Sequence, residues 1–179
     1  DRYLTDLNRN LTESVDVTED NGLPIAARAA EMDTFVYLIE ELEMDPAVKL
    51  GEYGLNSFLH ACYYRHIEVV KYLAEKYPNL INSVDEYNNS GLHLAVKRDT
   101  TQTIYLTIVY LVVELGMDPA VENEYGRNCF LSACYYGSTV IVHLLAERYP
   151  TLINSVDNNN DNGLHLAACQ GKMETVKYL

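Results

Sequence analysis

Between Phe58 and Tyr77 the apolar positions fall into two short helical runs. Leu59, Cys62 and Tyr63 share one face, and Val69, Val70, Leu73 and Tyr77 share another, spacings that fit a period of 3.6 residues. The pattern then breaks into Asn82, Ser83, Asp85, Asn88, Asn89, Ser90 and Gly91, a stretch rich in turn formers. The predicted unit is therefore a short helix, a tight turn, a second helix and a loop. Pro78 stands just past the second helix, where a missing amide donor does least damage.

The same pattern returns. Phe130 to Asp157 repeats Phe58 to Asp85 with eighteen of twenty-eight positions identical. Two markers carry the repeat through the chain. An Ala opens a small-residue patch at Ala26, Ala61, Ala95, Ala133 and Ala167, with spacings of 35, 34, 38 and 34. A Leu follows about one helix later at Leu4, Leu38, Leu73, Leu111, Leu145 and Leu179, spaced by 34, 35, 38, 34 and 34. A recurring period of this length is the signature of a stacked repeat array. Ser14-Val15-Asp16 reproduces Ser83-Val84-Asp85 and Ser155-Val156-Asp157, so the chain is expected to open inside one unit and to close inside another. The expected division is a partial unit over 1–15, units over 16–50, 51–84, 85–122 and 123–156, and a partial unit over 157–179. Asp1 in place of Met adds the expectation that this is a piece of a longer protein. Units ending in Met-Asp-Pro-Ala-Val (Met44 to Val48, Met117 to Val121) alternate with units ending in Tyr-Pro and Leu-Ile-Asn-Ser-Val-Asp, which explains the seventy-two-residue self-match.

One unit is longer. Ala95 to Leu111 is sixteen residues where the other complete copies have twelve, with the surplus in Asp99 to Thr107. Four residues exceed one helical turn by about 40°. Either a longer first helix or a longer inter-helix loop accommodates them.

Asn162-Gly163-Leu164-His165-Leu166-Ala167-Ala168, with Gly171 and Val176 to Leu179 following, resembles the ankyrin-repeat pattern Thr-Pro-Leu-His-Leu-Ala-Ala. Ser90 to Val96, Asn56 to Cys62, Asn128 to Cys134 and Asn21 to Ala27 stand at the corresponding places. The Thr-Pro dipeptide is replaced throughout by Asn-Gly, Ser-Gly, Asn-Ser or Asn-Cys, of which Asn and Ser remain good N-caps. The resemblance covers the entire chain and implies an all-α solenoid of stacked helix-turn-helix units with hairpin-like loops. It also implies a protein-binding concave surface, but fold by itself names no function.

Composition narrows the picture. Net charge is −13, from 26 acidic and 13 basic residues, which opposes the basic footprint that nucleic acid requires and suits a basic partner. No apolar run is long enough to span a bilayer and no signal-peptide pattern is present. Cys62, Cys129, Cys134 and Cys169 form no CxxC pair, and Cys62 and Cys134 occupy equivalent apolar positions. Buried free thiols are expected there, and with them a reducing, cytoplasmic compartment.

By the resemblance, the two residues after the Ala-Ala position of each first helix point into the concavity. These are Arg28 with Ala29, Tyr63 with Tyr64, Lys97 with Arg98, Tyr135 with Tyr136, and Cys169 with Gln170. Tyrosines and cations are the chemistry of binding hot spots, although one Tyr of each pair is expected to pack between repeats. A second set lies at the loop tips: Glu52-Tyr53, Glu86-Tyr87, Glu124-Tyr125 and Asn158-Asn159. Their acidic-aromatic character suits a basic protein face, against the plainer reading of solvated loops. His93 and His165 fall where the family's imidazole ties loop backbone together. His60, Cys62 and His66 are offset by two and six residues, which on a helix puts them on different sides and argues against a metal site. His143 is read as a lone helical residue.

No GxSxG, GxGxxG, Walker loop, HExxH or paired-carboxylate motif is present. The reading is a non-catalytic interaction module without cofactor or metal, monomeric unless its apolar ends near Leu4 and Leu179 associate artificially. The alternative is a targeting arm of a larger enzyme, or of a bacterial or viral effector acting in a host cytosol.

Overall fold

A computed structural model of the chain describes residues 22–97 and 102–179, the side chains of Arg28 and Gln102 excepted. Leu4, Ser14 to Asp16, Asn21, Arg98 and the partial unit over 1–15 lie outside the described residues.

Among the described residues five helix pairs follow one another. They are α1 (Gly22–Ala29) with α2 (Met32–Glu40), α3 (Ser57–Tyr64) with α4 (Ile67–Lys76), α5 (Gly91–Ala95) with α6 (Gln102–Val109), α7 (Cys129–Tyr136) with α8 (Thr139–Arg148), and α9 (Gly163–Cys169) with α10 (Met173–Tyr178). The first helices stack in one row, α1 on α3, α5, α7 and α9 in turn; α4, α6, α8 and α10 stack in a second row. Ala26, Ala61, Ala95, Ala133 and Ala167 are buried between the rows, as are Leu38, Leu73, Leu111 and Leu145. Each is an apolar side chain shielded on several sides by neighbouring units, the arrangement that makes an array cohere. Leu179 is 38% exposed, since no described helix follows to cover it.

The N-caps explain how the helices begin without Thr-Pro. Asn56 Oδ1 accepts the Leu59 amide at 3.0 Å and Asn128 Oδ1 accepts the Leu131 amide at 3.0 Å, satisfying donors that a helix start leaves orphaned. Ser90 and Asn162 form capping boxes in which the third helical residue is His93 or His165. After α4 and α8 the chain enters 3-10 turns, Pro78–Asn82 and Pro150–Asn154, that open on the proline.

The long unit takes one of the two expected forms, a longer connection between its helices, and both helices change with it. Its first helix, α5, ends at Ala95, three residues earlier relative to the Ala marker than α3 does. Helical backbone resumes at Gln102 and continues through a π turn over Tyr110–Glu114. The second helix therefore gains three residues at its start, and the connection grows by four. A first helix lengthened by the insertion is thus corrected to a shortened one. Ile104, Thr107, Ile108 and Leu111 form the buried stripe of α6, which keeps its face toward the core across the insertion. A wider turn of this kind inside a helix is an established way to absorb residues that do not fit the 3.6 period.

Candidate partner-binding groove

The loop tips are built by a recurring turn. Asp85 Oδ1 accepts the amides of Tyr87 and Asn89 at 2.9 and 2.8 Å. Asn123 Oδ1 does the same for Tyr125 and Arg127, both at 3.0 Å, and Asp157 Oδ1 for Asn159 and Asp161 at 2.9 and 3.1 Å. An Asx side chain that hydrogen-bonds the following amides fixes such a turn locally. The tips are then tied to one another: Glu86 N donates to Tyr53 O at 3.0 Å, Glu124 N to Tyr87 O at 2.9 Å, and Asn158 N to Tyr125 O at 3.0 Å.

That backbone ladder sets the spacing of the tyrosines. Tyr53, Tyr87 and Tyr125 form a row with ring centroids 6.3 and 6.1 Å apart, the second pair nearly parallel. Burial first, then the neighbouring phenols and the Glu52 and Glu124 carboxylates, push the Tyr87 hydroxyl above its ordinary pKa. The row of first helices contributes two edge-on pairs of matching geometry, Tyr63–Tyr64 and Tyr135–Tyr136, each with centroids 5.0 Å apart. Tyr63 packs against the core, and in the second pair both Tyr135 and Tyr136 do.

The two sets of tyrosines read separately from the sequence meet in one groove. A cavity of about 440 Å³ is lined by Tyr53, His60, Tyr63, Tyr64, Lys97 and Tyr136, among others, and an adjoining one of about 430 Å³ by Tyr53, Tyr87, Lys97, Tyr125, Tyr135 and Tyr136. Lys97 faces both, with Nζ 3.8 Å from the buried Asp85 carboxylate; burial lowers the lysine's pKa against the opposing pull of Asp85. Gln170 and Cys169 are exposed at the end of α9, outside both linings. Arg98 and the Arg28 side chain lie outside the described residues.

Arg127 was not singled out from the sequence, yet it lines the second cavity. Its guanidinium lies 4.3 Å from the Tyr135 ring centroid and 5.7 Å from that of Tyr125, within cation–π range. Its Nε donates to Asp157 Oδ2 at 3.1 Å. Burial would raise the Asp157 pKa, but the Asn159 and Asp161 amides and Arg127 prevail and hold it below 3.8. The corresponding position holds Leu55, Asn89 and Asp161 in other units, so averaging over repeats conceals it.

His93 joins two loops. The Ser90 amide donates to its Nδ1 at 3.2 Å, which leaves the proton on Nε2, 2.8 Å from the Arg127 carbonyl. Burial holds this imidazole below its usual pKa of 6.5, although the Arg127 carbonyl and Asp85 pull the other way. His60 and His66, expected on different sides, instead flank Tyr64 on parallel planes at 6.4 and 6.2 Å. The reason is that His66 lies past the left-handed cap of α3, not on that helix. His143 is not solitary either, since its ring centroid stands 3.5 Å from that of Tyr178.

Cys62, Cys129 and Cys134 are buried free thiols and Cys169 is an exposed one. Burial pushes the Cys129 and Cys134 thiols up to about 12 and Cys62 further still, which makes these three poor nucleophiles. Among the described residues no cluster of His, Cys, Asp or Glu is placed to hold a metal, and no helix is long and apolar enough to cross a membrane.

Comparison with known proteins agrees with this architecture. Residues 92–179 match the family model for ankyrin repeats in three copies. The Target of rapamycin complex 2 subunit AVO2 of Saccharomyces cerevisiae is 29% identical over 138 residues, covering 75% of this chain and 29% of that protein. Alpha-latroinsectotoxin-Lt1a of Latrodectus tredecimguttatus is 28% identical over 113 residues, covering 63% of this chain and 8% of the toxin. Alpha-latrocrustotoxin-Lt1a of the same species is 22% identical over 183 residues, covering 96% and 12%. The chain spans less than a third of the length of each of these relatives. Residues 92–179 thus carry ankyrin repeats, and the same helical unit is stacked from Gly22 onward.

Proposed function

We propose that the array is a non-catalytic recognition module whose partner protein lies in the tyrosine-lined groove. The observation that carries this reading is the convergence of the tip ladder Tyr53–Tyr87–Tyr125 with Tyr63, Tyr64, Tyr135 and Tyr136 around Lys97 and Arg127. Large amphipathic rings held by a rigid backbone lose little entropy when a partner binds. Relationship to AVO2, by its name a subunit of a complex, points the same way. Charge divides the groove. Carboxylates of Glu52, Glu86 and Glu124 sit at the rim, where basic groups of a partner would meet them, and the two cations sit deeper. Association would occur in a reducing compartment, where the free thiols are stable.

The test is capture of partner from cell lysate by the immobilised chain, beside thermal melting. Tyr63, Tyr64, Tyr135 and Tyr136 changed together to Ala should lose the captured protein. Tyr53→Ser with Tyr125→Ser, on exposed rings, should weaken capture at an unchanged melting temperature. Undiminished capture by both folded variants would rule out this surface.

A second reading treats the array as the targeting arm of a larger enzyme or effector. It rests on the relatives, in which the matched region is a minor part of the chain. The sequence of the complete gene decides it: a catalytic or toxin-like region on either side supports this reading, and none removes it.

A further inference from the structure

The outward faces of the second helices can be compared position by position, because Leu38, Leu73, Leu111 and Leu145 put α2, α4, α6 and α8 in one register. Five residues before the Leu marker stand Asp33, Glu68, Leu106, Val140 and, before Leu179, Glu174. Two before it stand Val36, Lys71, Val109, His143 and Lys177, and two after it Glu40, Glu75, Val113 and Glu147. Glu68-Lys71-Glu75 on α4 is an ordinary charged helix face. On α6 and its π turn the same three places are Leu106, Val109 and Val113, all apolar.

Leu106 is 53% exposed and Val113 43%, and on the adjoining α8 the equivalent of Leu106 is Val140, 50% exposed. Tyr105, also exposed, adjoins the patch next to Leu106 on α6. This is a contiguous apolar stripe at spacings of three and four residues, on the helix that the four-residue insertion lengthens. Isolated exposed apolar residues need no explanation, but a rimmed stripe marks a contact surface. The rim is acidic. Glu68 and Glu75 border it on α4, Glu114 at its end, and Glu147 and Glu174 beyond Val140; Lys71 and Lys177 are each paired within their own helix, to Glu68 at 3.1 Å and to Glu174 at 2.7 Å.

We propose that this outer face is a second docking site, independent of the groove, for a basic amphipathic helix of a partner protein. Leu106, Val109, Val113 and Val140 receive apolar side chains spaced i, i+3 and i+7, and the carboxylate rim meets flanking lysines or arginines. A second copy of the chain fits poorly, because an identical acidic rim on a molecule of net charge −13 would face itself. An anionic membrane surface is disfavoured for the same reason.

The probe is a fluorescein-labelled synthetic helix of about 18 residues, with leucines at i, i+3 and i+7 and lysines elsewhere, titrated into the chain and followed by anisotropy. A scrambled peptide of equal composition measures charge attraction alone. The designed helix should bind at least about tenfold more tightly than the scrambled one. Leu106→Lys with Val113→Lys should abolish that difference at an unchanged melting temperature, whereas Tyr53→Ser with Tyr125→Ser should leave it intact. Equal binding of both peptides overturns the proposal, as does a difference that survives the lysine substitutions. Concentration-dependent dimerisation abolished by Leu106→Lys would replace the partner helix with a second copy, and co-sedimentation with phosphatidylserine vesicles lost in that variant would replace it with a membrane.

Discussion

The segments Ser57–Asn82 and Cys129–Asn154 are nearly the same polypeptide met twice, and their differences are confined to particular places. Both N-caps are Asn with a 3.0 Å bond to the third helical amide, and both cap amides reach the Ser that follows the 3-10 turn, Ser83 at 2.7 Å and Ser155 at 2.8 Å. Both tyrosine pairs have the same edge-on geometry. Several of the divergent positions surround those pairs. Tyr64 lies between His60 and His66, where the second copy has Ser132 and Ser138 beside Tyr136, and Ser138 Oγ is turned to the Val96 carbonyl at 3.1 Å. The turn after the first helix is left-handed in both, but on Arg65 in one and Gly137 in the other. Shared residues hold the unit together, and the unshared ones give each unit its own surface.

The strongest test of that equivalence is in the core. Leu73 and Leu145 are buried at the same place in the two copies, so Leu73→Ala and Leu145→Ala should each cost about 2–5 kcal/mol, by lost transfer energy plus the cavity left behind. Chemical denaturation measures both. Costs under about 1 kcal/mol would mean that the two leucines are not in equivalent core sites.

The next effect concerns the units that follow each copy. A Cβ on Gly91 would stand 2.8 Å from Cys62 Sγ and 3.1 Å from the Phe58 ring; on Gly163 it would meet Cys134 Sγ and the Phe130 ring at the same distances. These are buried atoms with little room to move, so Gly91→Ala and Gly163→Ala should each destabilise by about 1–3 kcal/mol. Adding Cys62→Ala to Gly91→Ala should recover part of the loss, and strictly additive costs would show that the thiol is not the obstacle.

How much of this was legible in the sequence follows from the same contrast. The Ala and Leu markers lie where the backbone packs, so their period revealed the helices, the stacking and the buried thiols. The groove was legible only in pieces. Tyr63, Tyr64, Tyr135 and Tyr136 belong to two adjacent periodic positions and Tyr53, Tyr87 and Tyr125 to a third, and nothing in the sequence says that a carbonyl-to-amide ladder across units brings them together. Arg127 and the outward Leu106–Val113 stripe were missed because each departs from the repeat at one unit, and comparison by average hides single departures. The place of the insertion was illegible for a related reason: helical phase counts residues per turn and does not say whether a helix or the connection receives them.

A smaller effect comes from the left-handed turn. Arg65 has φ of 60° and Gly137 of 80°, a region costly for a residue with a Cβ. Gly137→Ala should cost about 1–2 kcal/mol, since its Cβ would also crowd the Lys172 side chain. The reverse change, Arg65→Gly, removes the left-handed penalty together with the arginine's own contacts. Its gain should be under about 1 kcal/mol. Thermal melts of the pair should move in opposite directions; if both fall, Arg65 contributes more through its side chain than its backbone costs.

The smallest effect separates the histidines of the two following units. His93 is buried under the next loop, whereas His165 holds the same cap with its ring exposed. Burial lowers the folded-state pKa of His93 below 6.5, so between those values the unfolded chain binds the proton that the folded chain resists. Its contribution is fully present above about pH 6.5 and is lost as pH falls toward the lowered value. Protonation would place a hydrogen on Nδ1, against the Ser90 amide that now donates to it. Melting temperature should therefore decline between about pH 7 and pH 5, less steeply in His93→Gln and with the wild-type slope in His165→Gln. Equal slopes in the wild type and His93→Gln would mean that the imidazole takes up its proton without leaving the Ser90 amide, and that burial is not enough to keep it neutral.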